Sequence, residues 1–321
     1  MARFLARRLL FAVILIAITS SAALVLARLA PGDVTSQLGP FASQVEVERT
    51  RSRFNLDRSP ISQWVLWAGR AMRFDLGESF LYNRPVAPLV ARAAANTALL
   101  GVVSLLTATL VGLALGVFTG ARSGPLPLLV RSVSLVCVSL PPLVTSLAFV
   151  FLAARTGWLP AGGMVSSAAS DPSWSAWMID VLWHLPLPVL ALSLPMAATF
   201  ERLQSQSMSD AVQQPFVLAA IARGVPASRV LLRHAWPSSL RPICAVYGLA
   251  IGALLSGSFI VEFVTAWPGL GRLTFEALRA RDVYLVAACA ATGAAFLALG
   301  TMTGDLLLAA ADPRVRQESA G

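Results

Sequence analysis

The side chains able to do chemistry in this 321-residue chain are few and scattered. His184 and His234 are its two histidines, and neither is expected to have a carboxylate or cysteine partner. Cys137, Cys244 and Cys289 each stand alone in apolar stretches, without the Cys-x-x-Cys or Cys/His spacing that holds a metal or a redox pair. They read as small packing residues. A GxxxxGK[ST] loop to cradle phosphate is missing, as are GxGxxG, HExxH and GxSxG. The chain is therefore expected to have no catalytic residues, no metal site and no bound cofactor. Asp305 and Glu262 lie in or near the end of apolar runs. An acid there marks a solute path or pairs with a neighbouring helix.

The surroundings of these residues point to lipid. Hydrophobic residues make up 56% of the chain and charged ones 13%, against about 25% in a soluble domain. Mean hydropathy is +0.71. The net charge of +9 comes from arginine alone, and its residues are dispersed among apolar runs instead of forming a stripe, which argues against nucleic acid. Disorder and a disulfide-stapled secreted scaffold are excluded by the same composition.

A bilayer core of about 30 Å needs roughly 20 apolar residues of helix. Six such runs are expected: Leu9 to Ala27, Thr97 to Thr119, Ser132 to Ala154, about Leu182 to Phe200, Ile243 to Val264 and Val283 to Ala310. The first is too long for a cleavable signal and reads as a retained span. Arginines concentrate in the short connections on the N-terminal side, among them Arg7, Arg8, Arg122, Arg131, Arg202, Arg223, Arg229, Arg233 and Arg241. That asymmetry places both termini inside.

Pro141 and Pro142 interrupt the third run, and Pro186, Pro188 and Pro195 the fourth. Such breaks persist in lipid only where freed carbonyls face protein or a wet cavity, so each is either a packed kink or a pathway wall. Small residues at helix-packing spacing, as in Gly112-Leu113-Ala114-Leu115-Gly116 and from Gly248 to Ser258, favour a closely packed bundle.

The inner connection from Glu201 to Pro242 is too patterned for a linker. Phe216 to Arg223 reads as a short helix, Gly224 as its left-handed terminator, and Pro226 as the first position of a second helix running to about His234. Arg223, Arg229 and Arg233 give this knuckle a basic face. It either snorkels toward headgroups or docks a soluble partner, and composition does not choose between them.

Motifs in one order then cover nearly the whole chain. They begin with Arg7-Arg8-Leu9-Leu10, Pro31-Gly32-Asp33, Leu56-Asp57 with Gln63 and Trp67, Asp75-Leu76-Gly77-Glu78-Ser79 and Pro85-Val86. Ala222-Arg223-Gly224, Val230-Leu231, Arg233-His234-Ala235 and Pro242 follow in the knuckle. Gly257-Ser258, Val261-Glu262, Trp267-Pro268-Gly269-Leu270-Gly271-Arg272, Arg281-Asp282 and Asp312-Pro313-Arg314-Val315-Arg316 complete the series. In these the chain resembles the permease subunits of oligopeptide and dipeptide ABC importers, a group that includes nickel-uptake relatives.

The resemblance implies an all-α integral membrane protein with six transmembrane helices in the type I importer architecture and both termini cytoplasmic, in a bacterial or archaeal plasma membrane. It implies a first helix plus extracytoplasmic segment over 1–92, a permease domain over 93–311 with a coupling loop at about 201–242, and a tail at 312–321. Ala222, Arg223, Gly224, Arg229, Arg233, His234 and Pro242 then form the ATPase-coupling loop. Pro141, Pro142, Glu262, Trp267, Pro268 and Gly269 are candidates for the pathway or outer gate. The implied partners are a second homologous permease, two cytoplasmic P-loop ATPases that use the ATP, an extracytoplasmic solute-binding protein and membrane lipid. The implied cargo is a di- or oligopeptide, with nickel or another small solute as the alternative. A self-sufficient secondary transporter is the rival class; it would show internal repeats and several mid-membrane charges, and neither is seen. The chain departs from the family's pattern at Pro215, Leu218, Ala219 and Ile221, where polar residues are usual, and at Pro237, where arginine is common.

Overall fold

The computed structural model describes residues 2–30, 43–53, 57, 59–166 and 173–311. Pro31-Gly32-Asp33, Leu56 and Asp312 to Arg316 lie outside the described residues. Among the described residues four helices are each long and apolar enough to cross a membrane: α1 (Ala2–Leu29), α4 (Val86–Ala121), α12 (Arg241–Val264) and α14 (Val283–Ala311). The expected third and fourth spans are bent helix pairs: α5 (Pro125–Ser139) with α6 (Pro142–Thr156) at 106°, and α7 (Trp174–His184) with α8 (Pro186–Val212) at 40°. The protein is thus an all-α membrane protein whose described residues hold four continuous candidate spans, or six if each bent pair counts as one.

The sharp bend follows from the two prolines. A residue before proline is pushed out of the α region. Leu140 and Pro141, each followed by proline, are both extended, at ψ 119° and 147°. Helix α6 restarts at Pro142, where a missing N–H costs nothing. The break expected at Pro141 and Pro142 thus divides the run from Ser132 to Ala154 between two helices.

The chain divides into two compact units. One comprises 6–98 and 268–298. Here α3 (Pro60–Ala71), a two-stranded hairpin of β1 (Glu78–Ser79) and β2 (Arg84–Pro85), and α13 (Leu270–Arg279) join α1 and the starts of α4 and α14. Before them runs α2 (Gln44–Arg53). The unit's core includes Leu24, Trp67, Val86, Leu270, Tyr284 and Leu285. Buried Asp282 accepts the Ser79 hydroxyl at 2.6 Å, the Leu81 N–H at 3.1 Å and the Leu285 N–H at 3.2 Å, so it ties the hairpin to the first turn of α14. Tyr82 donates to Glu276, and burial together with that acidic neighbour pushes its phenol well above the ordinary value.

The other unit comprises 1–5, 99–267 and 299–321. Within it α8 packs on α5, α6 and α12. Pro195 inside α8 has no N–H for the Ala191 carbonyl. The Thr145 hydroxyl of α6 reaches that carbonyl at 3.1 Å, so the proline break is satisfied by a neighbouring helix.

Glycine lets α4 and α8 approach. Gly112, Gly116 and Gly120 recur every fourth residue on α4, and a Cβ at Gly116 would stand 2.5 Å from Gln204 Cβ and 2.7 Å from the Glu201 carbonyl oxygen. The same device joins α12 to α14, where a Cβ at Gly304 would lie 2.6 Å from the Gly248 backbone.

Candidate functional site

The connection between α8 and α12 is the most distinctive site in the chain. Helix α8 continues past Glu201 to Val212, so this connection is shorter than the expected 201–242. It begins with α9 (Pro215–Ala222), capped by Arg223. Gly224 follows at φ +79°, the left-handed conformation expected of it, and its N–H bonds to the Ile221 carbonyl at 2.9 Å. Pro226 is not the first helical residue but the cap before α10 (Ala227–Arg229), its carbonyl accepting from the N–H groups of Arg229 and Val230.

The second helix also runs beyond His234. It passes through a π-helical turn, Val230–Ala235, into α11 (Trp236–Ser239). Pro237 explains both features. It cannot donate to the Arg233 carbonyl and its ring crowds that group, so the ladder shifts to the wider spacing, with Trp236 N–H on the Leu231 carbonyl.

This knuckle is seated on the end of the bundle. Val217, Ala220, Val230 and Ala235 are buried against Met208 and Ala211 of α8, with Val117 and Ala121 of α4 beside them. The Gln204 amide donates to the Ser239 hydroxyl at 2.7 Å. Ala222, Arg223, Gly224, Arg229, Arg233 and Pro242 are exposed, and His234 is half-buried. Between them Phe216, Leu218, Ile221 and Leu232 also stand exposed, an apolar surface beside the expected basic one.

Nothing lies within 4 Å of a Cβ built at Gly224, so substitution there acts through backbone strain alone. Gly224→Val is expected to strain the turn by about 1–2 kcal/mol. Transport in vesicles should fall while membrane insertion stays intact, and Gly224→Asn, which tolerates the left-handed region, should retain most activity. Equal transport by the valine variant and the parent would count against a rigid turn here.

Sequence reading missed a buried polar cluster just inside the bundle. Glu201 is fully buried and accepts the Thr119 hydroxyl at 2.5 Å, while Arg131 donates to the Thr119 carbonyl. A recess of about 540 Å³ opens here, lined by Arg131, Glu201, Arg202, Ser205, Gln206 and Ser209. Arrangements like this suit water or a small polar solute. Its signal in the sequence was the glycine spacing of α4, which demands a helix closely opposed to Glu201, Gln204 and Ser205.

The other candidates are dispersed. Pro141 and Pro142 form the bend between α5 and α6, with Pro142 beside Gly257 of α12. Glu262 is fully buried in α12, and Trp267 is buried in a cluster with Leu100, Leu254 and Val261. In the other unit the Pro268 carbonyl accepts from the Asn96 amide at 2.8 Å, and Gly269 caps α13, whose Leu270 N–H bonds to the Thr97 hydroxyl at 2.7 Å. Asp305 is half-buried on α14. His184 has the carboxylate partner that the sequence was not expected to supply: Asp180, one turn earlier, lies 3.3 Å from Nδ1, which also contacts the Asp180 carbonyl oxygen at 2.8 Å.

Comparison with known proteins accords with this geometry. Residues 112–317 match the family described as binding-protein-dependent transport system inner membrane component. A Brucella ovis protein provisionally named a peptide permease is 31% identical, the match covering 98% of this chain and 99% of that one. The oligopeptide transport system permease protein AppB of Bacillus subtilis is 28% identical and OppB of Mycobacterium tuberculosis 29%, each over 98% of this chain and 99% of theirs.

Proposed function

The chain belongs to the binding-protein-dependent transport system inner membrane component family, and on that premise we propose that it is the permease subunit of an ATP-driven importer of short peptides. It forms half of a heterodimeric pore in a bacterial inner membrane. A second homologous permease supplies the other half, a solute-binding protein delivers cargo from outside, and two P-loop ATPases work on the cytoplasmic side. The chain has no nucleotide site of its own. Its first 92 residues carry one span and an extracytoplasmic segment, and 93–311 form the permease domain.

The observation that carries this reading is the helix–Gly224–helix knuckle, anchored on α4 and α8 through its buried face and exposed on the other. Anchored this way, it acts as a lever. Closure of the ATPase pair on ATP moves the lever as a rigid body and switches the bundle between inward and outward openings. The peptide assignment is supported by the names of the full-length relatives.

Purification of the tagged chain from its native membrane in mild detergent, with mass spectrometry of what accompanies it, tests the proposal. A second permease and P-loop ATPases are expected. Recovery of the chain alone, or as a homo-oligomer that transports without ATPase, would overturn it.

A further inference from the structure

Helix α3 carries an apolar face that the core does not use. Gln63, Trp64, Trp67, Ala68 and Ala71 turn inward, whereas Ile61, Val65 and Met72 line the opposite side, with Phe74 just beyond. Ile61 is 75% exposed, Met72 81% and Phe74 90%. An uncovered stripe of this kind marks an interaction surface.

Its depth identifies what covers it. The Trp64 indole N–H donates to Ser21 of α1 at 2.7 Å, and Trp67 shares a cluster with Ala23, Leu24 and Ala27. The spanning stretch of α1 is Ala6–Leu29. At 1.5 Å per residue, Ser21 to Ala27 lies about 5 to 14 Å from its midpoint toward its C-terminal end. The hydrocarbon half-thickness is about 15 Å, so these contacts fall inside one leaflet. A second marker agrees, because the Gln63 amide contacts the Tyr284 hydroxyl at 3.3 Å, and Tyr284 is the second residue of the spanning helix α14.

We infer that α3 is an interfacial helix whose Ile61, Val65, Met72 and Phe74 face lies among acyl chains and headgroups of the leaflet at the C-terminal end of α1. Helix α1 also exposes Ile18 and Leu26. Exposed Arg70 and Arg73 at its end suit anionic headgroups, and an aromatic at Phe74 suits the boundary zone. The inference needs α1 to be a span and is independent of what the protein transports. In the proposed topology the leaflet is the outer one, and α3 there fixes the depth at which the hairpin and α13 sit.

Spin labels test it. Cys137, Cys244 and Cys289 are replaced by alanine, single cysteines are placed at Ile61, Val65 and Arg73, and the full chain with its co-purifying subunits is reconstituted in phosphatidylethanolamine and phosphatidylglycerol vesicles. Labels at 61 and 65 should collide with oxygen several-fold more than with a water-soluble nickel chelate, relative to the label at 73. Nickel access at 61 and 65 equal to that at 73 places the face in water and overturns the inference. Shielding from both reagents means that a protein covers it, and also overturns it. Hydroxyl-radical footprinting of the unmodified chain in lipid nanodiscs avoids the substitutions: Met72 should oxidise slowly, and rapid oxidation would refute a lipid contact.

Discussion

Gly116→Val is expected to lower the thermal stability and the yield of folded protein sharply. The new Cβ would meet Gln204 Cβ at 2.5 Å, the Glu201 carbonyl at 2.7 Å and Gln204 Cγ at 2.9 Å, and most of that contact is with another helix's backbone or the root of a side chain. Helix α4 must then move away from α8. Overpacking alone costs about 1–3 kcal/mol. Separation also breaks the 2.5 Å bond from Thr119 to buried Glu201, and leaving a buried acceptor without its donor costs about 1–3 kcal/mol more. The sum, about 2–6 kcal/mol, reaches the lower end of the stability of an ordinary domain, about 5–15 kcal/mol. Size-exclusion profiles and thermal unfolding in detergent would show it. Gly120→Val should behave alike, since its Cβ would lie 2.4 Å from the Ser205 carbonyl. Gly293→Ala is the control, with nothing within 4 Å of its Cβ, and it should be neutral or slightly stabilising. A Gly116→Val protein with parental thermal stability would show that α4 and α8 are not in contact here.

The second large effect concerns the outer face of α9. Phe216, Leu218 and Ile221 are about half exposed, while Val217 and Ala220 between them are fully buried. Replacing Phe216 and Ile221 together by aspartate should leave insertion and thermal stability close to parental. Co-purification of the ATPase subunits should be lost, and transport should fall at least tenfold. A dock formed by apolar side chains should survive high salt, because screening weakens charge pairs and leaves apolar burial intact. Val217→Asp is the contrasting variant, and it should damage the knuckle's own seat on α8. Retained ATPase recovery and transport in the Phe216/Ile221 variant would remove this face from the coupling surface. The departures from the family's polar pattern at Leu218 and Ile221 fall on this face, where both side chains stand about half exposed.

Local signals were read correctly where the residue type alone dictates the backbone. Gly224 is left-handed because the helix before it ends with its N–H bonded to Ile221, and glycine takes that conformation at no steric cost. Four spans followed from uninterrupted apolar length. Prolines were recognised as breaks, but their consequences differ by environment. Pro141 with Pro142 turns the chain by 106°, whereas Pro195 leaves α8 continuous because Thr145 supplies a hydrogen bond to the carbonyl it orphans. That donor is 50 residues away in sequence, counted from Thr145 to Pro195. Likewise Pro237, read only as a departure from a family pattern, reshapes the second knuckle helix into a π turn that carries it past His234.

By itself, then, the amino-acid sequence determined that the chain lives in lipid, roughly where its apolar spans fall, though the second begins 11 residues before and the fourth ends 12 residues after its apolar run, and that a glycine-broken knuckle interrupts it. These are properties of composition, periodicity and single-residue sterics, which act over one or two helical turns. Only the tertiary structure decided that Glu201 is a buried partner of Thr119 and not the start of a loop, that the glycines of α4 face α8, and that α3 rests on α1. Each of these depends on which faces meet, and that is set by packing between segments far apart in the chain, where small local preferences yield to the need to fill space and satisfy every buried polar group.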